Sequence, residues 1–196
     1  MAAVRTLARD DVLSLAAYEK VRAGRRAEIL AIKRRRRVAV GPFATFHFEN
    51  YDTMWYQVHE MLRIERGGAQ QIDEELAAYA PLVPGGRELV ATLMFEIENA
   101  RVRERELRGL GGAENTVFLD LDGERSGATP ESDVERTDAA GKTSSVHFLR
   151  FPLSEGQALR FKAGSCEAVL GIGHANYAHS AVLTAATRAE LARDLA

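Results

Sequence analysis

Between residues 38 and 66 the spacing of apolar side chains changes from two to about 3.6, so a strand must hand over to a helix with both apolar sides on one interior. Val38 and Val40, then Phe46 and Phe48, alternate as in half-buried strands, with Gly41-Pro42 as the turn between them. From Tyr51 to Arg66 the spacing is helical. Tyr51, Met54, Trp55, Val58, Met61 and Leu62 share one stripe, Asn50 or Asp52 is placed to cap it, and Gly67-Gly68 to end it.

The segments on either side follow from the same reading. Asp10 or Asp11 predicts the cap of a short helix to about Tyr18, and a second helix covers 22–35 with Ile29, Leu30 and Ile32 inward. QQIDEELAAYAPLVP predicts a helix stopped by Pro81. LVATLMFEIE, NTVFLDLDG, SVHFLRFPL, CEAVLGIG and SAVLT read as strands, interrupted by helices at 101–108 and 154–162 and closed by one at 188–195. Residues 122–145 hold Val134 as their only large aliphatic and predict an exposed hairpin or mobile loop. Helices first and then strands with short connections predict a single α+β domain over 1–196, a largely antiparallel sheet with N-terminal and flanking helices. The alternating βα units of a doubly wound fold are absent, and so is GxGxxG; GLGG at 109–112 follows a helix, the wrong context for a dinucleotide fingerprint.

The net charge of −2 hides an asymmetry: residues 1–40 carry 11 Lys+Arg against 4 Asp+Glu, and the rest carries 15 against 24. The basic helical segment 1–37 is therefore expected to lie against an acidic remainder, of this chain or of a partner. One cysteine, Cys166, forms no internal disulfide, and no stretch approaches the ~20 apolar residues of a membrane span. The N-terminus lacks the apolar core of a signal peptide. A cytoplasmic protein without membrane partners is expected.

Ligand-type side chains cluster where the period changes. On a strand, His47 and Glu49 point one way and Phe46 and Phe48 the other, so the first two could bind one metal from the same face or simply form its wet side. His59 sits at the margin of the helical stripe, and His174, with His179, brackets a turn-like segment that could join them. Such nitrogen and oxygen ligands suit a divalent iron, zinc or manganese. Neither Glu-x-x-His nor His-Glu-x-x-His occurs. Glu65 falls near the centre of the stripe, a buried-carboxylate candidate that would need an arginine from the first helices, a proton or a metal. Lys33, Arg34, Arg35, Arg36 and Arg37 form a basic patch. Its helix-terminal place and the lack of interleaved aromatics favour a dipole-compensating role over nucleic-acid binding. His147 reads as a hydrogen-bonded sheet histidine and Cys166 as a small core residue.

The strings LARDDVLSLAAYEKVR, KRRRRVAVGPFATFHFENYDTMWYQVHEMLRIE and TSSVHFLRF resemble the bacterial domain-of-unknown-function 3501 family. The resemblance is specific over 7–66 and 143–153 and looser along the rest. It implies no activity, but it does imply a genomic neighbourhood with a rubrerythrin-like protein and an iron–sulfur protein, hence a redox or peroxide-defence module. Two functions are expected from this: a non-catalytic accessory protein of an iron-dependent redox partner, or a metal-binding protein or enzyme using the histidines and glutamates above. Strands with hydrophobic edges also allow a homodimer.

Overall fold

The alternation at 38–49 becomes a hairpin, β1 (Arg37–Val40) and β2 (Ala44–Glu49), in which Val38 stands opposite Phe46 and Val40 opposite Ala44. The structure, a computed structural model, describes residues 5–131, 136–138 and 141–196. β3 (Glu88–Phe95) and β7 (Val146–Pro152) extend the hairpin into a five-stranded antiparallel sheet, with the two-residue β6 (Thr129–Pro130) at the far edge. A second antiparallel sheet, ordered β5-β4-β8-β9, is made by β4 (Val117–Leu121), β5 (Glu124–Gly127), β8 (Ala168–His174) and β9 (Tyr177–Val182).

The two sheets share one apolar core. Phe46 and Phe48, Leu89, Leu93 and Phe95, Leu149 and Phe151 come from the larger sheet, and Val117, Leu119, Leu121, Leu170 and Ile172 from the smaller. Helices α4 (Ala100–Arg108), α5 (Glu155–Ala163) and α6 (Ala185–Leu191) close it with Leu107, Phe161 and Leu191. In the smaller sheet Gly171 is needed, because the Phe118 ring of the neighbouring strand lies where a Cβ would be.

The other face of the larger sheet carries α1 (Leu15–Arg36), α2 (Tyr51–Glu65) and α3 (Gly68–Tyr79), which bury Tyr18, Met54, Trp55 and Val58 with Val90 of β3. Asn50 caps α2 as expected, its side chain accepting from Thr53 N–H. The helix ends one residue early, on Arg66 in the left-handed conformation (φ 55°). The result is the α+β class expected from the order of patterns.

Two expectations are corrected. The N-terminal helices are one, capped by Ser14; Asp10 and Asp11 lie in a 3₁₀ turn at 9–11 before it. Its inward side runs Tyr18, Arg22, Ile29, Ile32 and Arg36, spaced as one helical face but interrupted by two arginines, whereas Leu30 is exposed. An apolar count breaks such a helix in two because it scores those arginines as outward. Within 122–145, β5 does form a hairpin with β4, but β6 joins the larger sheet and Thr143 is fully buried. Residues 132–135 and 139–140 of that stretch lie outside the described residues.

Candidate functional site

Because Phe46 and Phe48 fill the inter-sheet core, Thr45, His47 and Glu49 emerge on the helix-covered face of β2. Glu49 is buried, its two carboxylate oxygens accepting from Thr53 Oγ1 at 2.7 Å and Thr92 Oγ1 at 2.9 Å. His47 stands opposite Thr92 of β3, and its buried Nε2 has no hydrogen-bond partner among the described residues, lying 3.9 Å from Glu96 Oε1. Burial holds this imidazole below its ordinary value; Glu49 and Glu96 pull it back, while Arg37 and Lys33 push it lower. Glu96 in turn accepts from Thr45 Oγ1 at 2.6 Å and Arg37 Nη2 at 2.8 Å. The predicted pair does share a face, yet two fixed cations occupy the same neighbourhood, a poor setting for a metal ion.

The other two proposed ligands are elsewhere. His59 Nδ1 donates to the Trp55 carbonyl at 2.7 Å and Nε2 accepts from Leu13 N–H at 2.9 Å, so both ring nitrogens are engaged. Its ring stacks with Trp55 at 3.9 Å and Tyr18 at 4.8 Å, pinning α1 and the segment before it onto α2. His174 ends β8 in the smaller sheet, where Nδ1 accepts from Asn176 N–H. Among the described residues no three His, Cys, Asp or Glu side chains form a group able to hold a metal. His47, Glu49, His59 and His174 are thus not assembled into one centre, since α2 turns His59 toward α1 and the sheet partition removes His174. Cys166 is buried, and burial pushes its thiol up, the opposite of an activated thiolate.

The buried histidines His59 and His147 and the half-buried His47 carry a pH prediction. His47, His59 and His147 all have imidazoles lowered first by burial. Below an ordinary value of about 6.5 the unfolded chain takes up protons that the folded chain refuses, so their contribution is complete above that pH and lost as pH falls. Denaturant unfolding is expected to show a lower free energy at about pH 5.5 than at about pH 7.5. Equal or greater stability at the lower pH would contradict neutral, buried histidines.

Glu65 corrects the expectation of a buried carboxylate. It is exposed in the last turn of α2, where Ile64 is exposed too, and it accepts from Gln71 Nε2 at 3.0 Å. The apolar stripe stops at Leu62, and beyond it Ile64 and Glu65 are exposed. The half-buried acid of this helix is instead Glu60, which takes both Arg22 Nε (2.7 Å) and Nη2 (2.9 Å) and the Tyr18 hydroxyl (2.8 Å). The Arg22 guanidinium holds its carboxyl down to about 2. An arginine from the first helix does serve an acid of α2, one helical turn away from the residue expected.

The run 33–37 is no uniform patch. Arg36 is buried and bound to Asp194 and Glu190, Arg37 is paired with Glu96, and Arg35 lies 4.0 Å from Glu190; Arg34 remains exposed. Arg9–Asp73 and Arg22–Glu60 repeat the theme, so the basic N-terminal segment does lie against acids of the same chain.

One surface feature was missed by the motif search. Leu13 and Leu15, on either side of the Ser14 cap, line an apolar groove of about 260 Å³ with Leu62 of α2 and Ile72 of α3. Leu13 is 38% and Leu15 43% exposed, and Ile64 follows at 66%. The signal was present in VLSLAAY, whose leucines frame the cap instead of entering the helix's inward row.

The family described as "Protein of unknown function (DUF3501)" matches residues 6–195. The chain belongs to this DUF3501 family. A crystal structure of a novel protein of unknown function from Burkholderia pseudomallei K96243 is similar to it, with 43% identity and a TM-score of 0.90, covering 98% of this chain and 100% of that one. No curated protein matches. Among the described residues of this DUF3501 chain no helix is long and apolar enough to cross a membrane.

Proposed function

We propose that this DUF3501 protein is a non-catalytic, cytoplasmic accessory protein that docks an iron-dependent redox partner, the rubrerythrin-like or iron–sulfur protein implied by the family resemblance. The observation that carries this reading is the apolar groove between the start of α1, the end of α2 and α3, bordered by exposed Leu13 and Leu15. Contiguous exposed apolar surface of this kind suits a protein partner more than a polar substrate. His59 and His147 are, by contrast, engaged in holding neighbouring segments together.

The test mixes the purified protein with each of the two purified redox partners and measures association by sedimentation or calorimetry. Leu15→Asp, a change at an exposed position, is expected to weaken the complex at least tenfold, about 1.4 kcal/mol, with no loss of folded stability. No complex with either partner, or a complex indifferent to Leu15→Asp, overturns the reading. Stoichiometric iron, zinc or manganese in untagged protein, lost on His47→Ala, would replace it with the metal-binding alternative built on His47 and Glu49.

A further inference from the structure

β7 directs His147 to the same inner face as Leu149 and Phe151, edge-on to the Phe95 ring and 1% exposed. Its Nε2 lies 2.9 Å from the Ser144 carbonyl oxygen and 3.1 Å from Thr143 Oγ1. A carbonyl oxygen can only accept, so Nε2 carries the ring proton and, in the neutral ring, Nδ1 is a bare acceptor. Burial, helped by the positive charge of Arg136, keeps the ring neutral against the pull of Glu114 and the Ser144 carbonyl.

Facing Nδ1 at 3.9 Å is Oε2 of Glu114, from the 3₁₀ turn Ala113–Thr116 that leads into β4. Glu114 is itself buried, and among the described residues neither Nδ1 nor Oε2 has a hydrogen-bond partner. Two acceptors therefore confront each other in the protein interior, too far apart for a direct hydrogen bond. Leaving both orphaned would cost about 1–3 kcal/mol each, and buried polar atoms are almost always satisfied. A metal would want further ligands, and the described residues supply none.

We propose that the gap between His147 Nδ1 and Glu114 Oε2 is a binding site for one ordered water molecule, which donates a hydrogen bond to each. The 3.9 Å separation is one that a single oxygen can bridge at about 2.8 Å from both atoms. The water joins the turn that starts β4 to β7, and so one sheet to the other. Arg136 Nε, also buried and without a hydrogen-bond partner among the described residues, belongs to a residue whose carbonyl accepts from Ser144 N–H, which keeps a third polar group in the vicinity.

The experiment combines an atomic-resolution crystal structure of the intact protein with long-range ¹H–¹⁵N NMR of its histidine rings at neutral pH. Expected are a single density peak within hydrogen-bonding distance of both Nδ1 and Oε2, and a His147 ring protonated on Nε2 and bare on Nδ1. An empty gap, a ring proton on Nδ1, or Nδ1 and Oε2 drawn into direct contact overturns the proposal.

Discussion

Arg36→Ala is expected to lower the unfolding free energy by about 3–5 kcal/mol, the loss seen when one partner of a buried charge pair is removed. Arg36 is 1% exposed, at the C-terminal end of α1, where the helix dipole also favours a cation. Its Nη1 and Nη2 each lie 2.7 Å from a carboxylate oxygen of Asp194, its Nε 3.3 Å from Glu190 Oε1, and it reaches the carbonyls of Glu49 and Glu190. One side chain thereby ties α1, the end of β2 and the C-terminal turn. Burial already pushes the Asp194 carboxyl up despite the guanidinium, so truncation would leave two acids in a dry site with Arg35 and Arg193 only at the rim. Arg36→Lys is expected to recover only part of the loss, because a point charge cannot reproduce the forked contact. Denaturant unfolding measures both variants. A loss below about 1 kcal/mol for Arg36→Ala, the size expected of a surface pair, would show that the network contributes little.

Tyr177→Phe is expected to destabilise by about 2–4 kcal/mol, well beyond the removal of a single hydroxyl at the surface. Tyr177, on β9, is 4% exposed, and its hydroxyl oxygen accepts from Phe43 N–H and Ala44 N–H, both at 2.9 Å, while donating to the Val40 carbonyl at 2.8 Å. This one group satisfies three backbone positions across the β1–β2 turn and fastens the hairpin of the larger sheet to the edge of the smaller. Phenylalanine fits the same space and strands all three. The turn leaves no slack to compensate: Gly41 has a φ of 71°, and a Cβ there would lie 2.6 Å from the His179 ring. Hydrogen exchange should therefore quicken at Phe43 and Ala44 as global stability drops. Unchanged protection at those amides would contradict this account of the turn.

Periodicity made the fold class legible. The strand at 44–49 and the helix at 51–65 emerged with the expected faces because period and cap are local, written within a few residues of where they act. The same reasoning failed on α1, where Arg22 and Arg36 occupy inward positions that an apolar pattern leaves blank. It also chose Glu65 over Glu60, since an ideal stripe continues to the end of a helix, whereas here Ile64 and Glu65 in the last turn of α2 are exposed. The histidines had the right chemistry for a site, but what each ring nitrogen faces depends on segments such as Leu13 and Ser144, set by the packing of distant elements.

By itself, then, the sequence determined most of the strands and helices, which side of each is oily, and that a basic N-terminal segment would meet acids of this chain or of a partner. Only the tertiary structure decided which polar residues go inside and with whom. A charge or an imidazole can be buried only where a complementary group arrives to replace water. For Arg36 that group lies 158 residues away, at a distance no local pattern encodes.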